Sequence, residues 1–215
     1  MSKLSQFRTF GKKIVCVGRN YREHAAELGN PVPSKPILFL KPTSAYISEG
    51  QAIKIPQGCN DLNHEVELGV VIGSKAIQVA PEEALNYVGG YALGLDMTAR
   101  DWQSEAKKQG HPWSLAKGFD TSCPVSAFIE KEKIPDPNNI DLWLKVNGET
   151  KQAGNTKDMI FSVEYLVSYA SQYFTLEPGD LLLTGTPSGV SKLIPGDIIQ
   201  AGLGNLISMQ FEVDK

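Results

Sequence analysis

Asn63-His64-Glu65-Val66-Glu67-Leu68-Gly69-Val70-Val71-Ile72 sets the reading of the whole chain. Residues 66–72 form an apolar run interrupted only by Glu67 and Gly69, long enough for a buried strand. Side chains two apart on a strand share a face, so Glu65 and Glu67 project together. Two like charges pointing into one crowded place are unfavourable unless a cation neutralises them. The competing reading is an exposed strand whose acids face water.

Further strand signals lie on either side. Short apolar runs at 14–17, 37–40, 52–55 and 91–95 are bounded by Gly, Pro or polar residues. Ile140, Leu142, Leu144 and Val146 alternate with polar neighbours and Trp143 before Asn147-Gly148, a pair suited to a type I′ hairpin turn. Residues 207–213 alternate in the same way, and Pro-Gly-Asp turns at 178 and 195 feed apolar runs at 181–183 and 198–199. Helices are fewer. Spacing predicts one over 21–28, one beginning at Pro81 and closed by Gly89-Gly90, one capped by Thr98 and running to Gln109, and one with Val163, Leu166, Val167, Ala170 and Phe174 on its apolar face. Strands without regular β-α alternation indicate an α+β, predominantly β fold.

The 215 residues suggest one domain, here 11–215, preceded by an N-terminal stub, 1–10. That stub is basic, and Leu4, Phe7 and Phe10 recur every third position, a pattern compatible with organelle targeting or with an ordinary frayed terminus. With 21 Lys and Arg against 24 Asp and Glu, no broad basic field is available for nucleic acid. No uncharged apolar stretch approaches the ~20 residues that span a bilayer. Cys16, Cys59 and Cys123 are widely spaced and form no paired motif, which points to a reducing compartment.

Candidate chemistry gathers at a few places. Asp96 ends the run at 91–95, so Glu65, Glu67 and Asp96 together offer hard oxygen ligands suited to Mg²⁺, Mn²⁺ or Ca²⁺. His24 and Glu27 sit three apart on a helix, where they could activate a water or simply occupy a solvated face. Arg100 and Gln103 repeat that spacing and could clamp a carboxylate, with Asp101 and Glu105 as alternative surface partners of the arginine. Lys117 lies in an apolar stretch where a lone lysine is costly. Thr184-Gly185-Thr186-Pro187-Ser188-Gly189 is a glycine-punctuated turn whose N–H groups and Thr186 hydroxyl could bind an oxyanion; it lacks the pattern of a P-loop.

Taken in order, Val17-Gly18-Arg19-Asn20-Tyr21 with His24, His64 through Gly69, Gly89-Gly90-Tyr91 through Asp96-Met97-Thr98-Ala99-Arg100-Asp101, Lys117 and Thr184 through Pro187 resemble the fumarylacetoacetate hydrolase family, most nearly its compact acylpyruvase branch. The resemblance implies a mixed β-sandwich roll with short flanking helices, usually a homodimer. It also implies Mg²⁺, with Mn²⁺ as the alternative, held by Glu65, Glu67 and Asp96. His24 and Glu27 would lie on a lid, Lys117 would project into the site, and Arg100, Gln103, Gly185 and Thr186 would place a small 2-oxo acid. Full-length members carry a further acidic ligand that no residue here matches, so water or substrate would complete the shell. The implied activities are acylpyruvate hydrolysis and oxaloacetate decarboxylation through a pyruvate enolate held at the metal. Oxaloacetate enol–keto tautomerisation, an aromatic-catabolism tricarboxylate decarboxylase or isomerase, and a non-catalytic metal-binding protein are the alternatives. Relatives suggest a mitochondrial compartment; a cytoplasmic one stays open.

Overall fold

A computed structural model describes residues 3–29 and 31–215; the first two residues of the stub lie outside this range. A six-stranded sheet runs in the order Ile129–Glu130, Val88–Leu95, Val66–Ile72, Leu181–Leu183, Ile14–Gly18, Ile37–Lys41. A five-stranded sheet comprises Glu149–Asn155, Asp141–Val146, Ile198–Leu203, Ile207–Asp214 and Ile53–Lys54. Alternation along each strand makes the two sheets a sandwich. Val66, Leu68 and Val70 from the first sheet share one apolar core with Leu142, Leu144, Ile199 and Phe211 from the second. The expected α+β, mostly β architecture is therefore present.

Opposite residues of the first sheet feed a separate cluster. Ile14, Cys16, Val71, Leu181 and Leu183 pack there with Phe7, which is completely buried. The stub's aromatic stripe thus anchors it: Lys3–Gln6 forms a 3-10 turn and Phe7–Phe10 a single α-helical turn.

Most local signals translate directly. Asn147 and Gly148 adopt φ of 51° and 82°, the left-handed values the hairpin needs. Val163–Tyr173 is an α-helix burying Val163, Leu166, Val167 and Ala170. Two helix expectations need correction. Pro81–Tyr87 is a 3-10 helix, and Gly89 and Gly90 do not close it. Both glycines belong to the next strand, where Gly90 is flanked by Val71 and Glu130. Thr98 likewise caps no helix: Thr98–Ala99 pairs with Leu62–Asn63, and the helix is Arg100–Gln109. Its C-terminal signal holds, for Gly110 is left-handed at φ 68°.

The sheet order places the chemistry. Val66–Ile72 is antiparallel to both Val88–Leu95 and Leu181–Leu183, so its start meets their ends. Ile14–Gly18 runs parallel to Leu181–Leu183, which brings its end to the same edge. Glu67, Asp96, Gly185 and Arg19 consequently converge from four strand ends.

Candidate metal centre

Glu65, Glu67 and Asp96 are buried, and one carboxylate oxygen from each lies within 4.8 Å of the others. Glu67 enters because it projects on the same face as Glu65, and Asp96 because its backbone N–H donates to Glu65 O at 2.9 Å. This rules out the exposed-strand reading of the acids.

Cations and donors surround them unevenly. Lys117 Nζ donates to Glu65 Oε2 at 3.0 Å, to Asp96 Oδ2 at 2.6 Å and to Thr98 Oγ1 at 2.6 Å. The Thr98 hydroxyl, expected to cap a helix, is instead recruited by this charge cluster. Arg100 Nη2 binds Glu65 Oε1, Nη1 donates to Gln103 Oε1 at 2.8 Å and Nε to Asn63 Oδ1 at 3.2 Å. Asp101 and Glu105 are not its partners: Asp101 accepts from Asn60 N at 2.8 Å, and Glu105 from Gln109. Burial alone would raise the Glu65 pKa, but the charges of Lys117 and Arg100 prevail and hold it well below the carboxylate range. Glu67 goes the other way. Burial, then repulsion from Asp96 and Glu65, raises its pKa, opposed by one N–H from Gly185 at 2.7 Å.

These features fit a hard divalent cation. Asp96 Oδ1 is buried and accepts no hydrogen bond, although Lys41 Nζ stands 2.8 Å away. Glu67 has no ion pair among the described residues and is crowded by two acids. A cation among the three would use the free lone pairs and relieve the repulsion.

Further expected residues border the same cleft. His24 is buried, with Nδ1 3.1 Å from Glu27 Oε2, and Glu27 Oε1 accepts from Gly189 N at 2.9 Å. The helix Arg22–Glu27 is thereby clasped to the glycine turn, with His24 and Ala25 buried and Glu27 exposed. A carboxylate acceptor fixes the proton on Nδ1 and leaves Nε2 for the cleft. Gln103 spends its carbonyl on Arg100, which leaves its amide NH₂ toward the cleft it lines. Two expected oxyanion donors are differently engaged. The Gly185 N–H is aimed at Glu67, and the Thr186 hydroxyl donates to Val66 O and accepts from Gln152, each at 2.8 Å. Gly185 is needed there, at φ 99° with its would-be Cβ 2.7 Å from Asn20 Cβ.

Sequence reasoning missed the supports. Lys41 is fully buried, pairs with Asp96 and donates to Met97 O at 3.1 Å. It ends an apolar strand, the same signal that singled out Lys117. Gln152 links His64 Nδ1, Val66 N, Thr186 Oγ1 and Pro187 O, and nothing in its polar stretch marks it. The amide oxygen makes His64 Nδ1 the donor, so Nε2 accepts from Ser191 Oγ at 2.8 Å; burial lowers the His64 pKa and keeps it neutral. A larger cavity lined by Ile55, Leu62, Phe119 and Leu193 contains none of the acids, so chemistry and not volume identifies the site.

A strand-end carboxylate cluster on this sandwich defines a class, and the comparisons agree. Residues 13–214 match the family described as fumarylacetoacetate (FAA) hydrolase C-terminal, and the chain belongs to that family of enzymes. Human "Oxaloacetate tautomerase FAHD1, mitochondrial" is 57% identical over 212 residues, covering 99% of this chain and 96% of the relative. "Oxaloacetate decarboxylase, mitochondrial" of Dictyostelium discoideum is 53% identical, covering 98% and 97%. Among solved structures, fumarylpyruvate hydrolase from Pseudomonas aeruginosa in complex with Mn²⁺ and pyruvate superposes with a TM-score of 0.90 at 35% identity, covering 95% of this chain and 90% of that one. No helix among the described residues is long and apolar enough to cross a membrane.

Proposed function

We propose that this chain is a Mg²⁺- or Mn²⁺-dependent enzyme of small 2-oxo acids, with oxaloacetate as its principal substrate. Enol–keto tautomerisation and decarboxylation of oxaloacetate, and hydrolysis of acylpyruvates, are three outcomes of one site. The observation that carries this reading is the buried trio Glu65, Glu67 and Asp96 with the Lys117 ammonium seated against it. The names of the tautomerase and decarboxylase relatives support oxaloacetate, and the Mn²⁺–pyruvate complex of the hydrolase supports the hydrolytic outcome. A mitochondrial location and a homodimer complete the proposal.

Glu65, Glu67 and Asp96 would hold the ion, which supplies Lewis acidity toward a substrate's carboxylate and 2-oxo oxygen. Every other task falls to the chain. The Gln103 amide donates to the substrate carboxylate, and Lys117 offsets negative charge developing at the 2-oxygen. His24 Nε2, oriented by Glu27, takes the enol proton and delivers one to C3 in tautomerisation. In hydrolysis the same nitrogen deprotonates water. Decarboxylation asks of the pair only that it close the cleft.

The test measures enol decay of oxaloacetate and pyruvate release from oxaloacetate and acetylpyruvate, with Mg²⁺ and with chelator. Turnover of oxaloacetate that chelation abolishes and Mg²⁺ restores is expected. Absence of turnover, or turnover indifferent to chelation, refutes the reading.

A further inference from the structure

Three of the cations around the acids are committed to them: Lys41 to Asp96, Arg100 to Glu65, and Lys117 to both. Two others, Arg19 and Lys107, line the same cleft, yet neither side chain makes an ion pair or a hydrogen bond among the described residues. Each is placed deliberately by its surroundings. Arg19 is left-handed at φ 59°, an uncommon backbone for a long side chain. Its neighbour Asn20 locks that turn through Thr184 O at 2.8 Å, Phe161 O at 3.0 Å and Phe161 N at 2.8 Å. Lys107 Nζ lies 5.3 Å from the Trp113 ring centroid, and Trp113 in turn packs edge-on against Phe39 at 5.7 Å.

Arg100, Gln103 and Lys107 fall on one face of the helix Arg100–Gln109. Lys107 therefore stands about 6 Å along the axis beyond Gln103, a distance on the scale of a four-carbon diacid. Burial, then the charges of Arg100, Arg19 and Lys117, lowers the Lys107 pKa to about 8, so the two unpaired cations feel one another. Lys107 is exposed and Arg19 half-buried, so water screens part of their repulsion, and an anion in the cleft would offset both charges.

We propose that Arg19 and Lys107 form a subsite for the distal carboxylate of a four-carbon 2-oxo diacid, and so set the preference for dicarboxylates over acylpyruvates whose far end is uncharged. The inference rests on the proposed 2-oxo acid function and names which end of the substrate each half of the cleft holds. The acids and Gln103 take the chelating end, while Arg19 and Lys107 take the far end.

The test uses two matched pairs of compounds differing only at that end. Binding of malate and 2-hydroxybutyrate, whose far ends are carboxylate and methyl, is titrated calorimetrically in Mn²⁺. Turnover of oxaloacetate is compared with that of 2-oxosuccinamate, its neutral 4-amide. The wild type should prefer the dianion by about tenfold or more, the worth of one charge-assisted hydrogen bond. Lys107→Met should remove about tenfold from malate binding and leave 2-hydroxybutyrate within about twofold. Lys107→Arg should restore the preference, and Arg19→Asn, which tolerates the left-handed backbone, should reduce it. No wild-type preference, or equal loss of both ligands in Lys107→Met, overturns the subsite. A malate preference in a protein that fails to turn over oxaloacetate leaves the subsite standing and removes the proposed function instead.

Discussion

Replacing Lys41 by methionine tests the charge arrangement at its most buried point. The side chain is fully buried, with Nζ 2.8 Å from Asp96 Oδ1 and within hydrogen-bond reach of Met97 O. Methionine fills similar volume without the charge, leaving Asp96 one cation short. Truncating one partner of a buried ion pair costs about 3–5 kcal/mol. The lower end applies, because Lys117 still donates to Asp96 at 2.6 Å and Ser122 Oγ still donates to Lys117 O at 2.9 Å. A divalent cation against Asp96 would replace the missing charge, so the loss should shrink in Mg²⁺. Urea unfolding followed by circular dichroism, in chelator and in saturating Mg²⁺, measures both quantities. Adding Asp96→Asn to Lys41→Met should recover about 1–3 kcal/mol in chelator, since both members of the pair are then removed and Lys117 keeps Glu65 as its partner. A loss below about 1 kcal/mol in chelator, or no recovery in the double variant, would refute the reasoning.

Glu27→Gln should lower acetylpyruvate hydrolysis by about 10²–10⁴, the worth of general base catalysis, and oxaloacetate decarboxylation much less; equal losses in steady-state assays would end the split role of the His24–Glu27 pair. Gln152→Leu strands partners on four groups, and should destabilise the protein by at least about 2 kcal/mol in chemical unfolding. Lys107 is cationic below about 8 and neutral above it, facing Arg100 on its own helix and Arg19, Lys117 and Glu65 from other segments. Malate binding should therefore weaken as pH rises through about 8, and Lys107→Arg should flatten that profile in calorimetric titrations.

Legibility in the sequence followed the range of the interaction. Period-2 alternation identified residues 140–146 and 207–213 because each strand face meets a different solvent, and Asn147-Gly148 declared its turn through backbone sterics alone. Glu65 and Glu67 were readable for the same local reason. Asp96 was grouped with them by its place at the end of an apolar run, whereas the motif resemblance alone joined Lys117 to the site, because that junction depends on which segments become neighbours. Thr98 and Gly89-Gly90 carried helix-terminating chemistry that long-range demands overrode: the hydroxyl went to Lys117, the glycines to a sheet. Lys41 could have been found by the argument applied to Lys117, a lysine against an apolar run. Gln152 could not, since its four partners come from two distant segments, 64–66 and 186–187.

Stoichiometric Mn²⁺ binding, followed by electron paramagnetic resonance of the free ion, asks whether Glu65, Glu67 and Asp96 act as one ligand set. One tightly held ion per chain is predicted, with Glu67→Gln and Asp96→Asn remaining folded and losing it. Zero occupancy in the wild type, or retention of the ion by both variants, would contradict it.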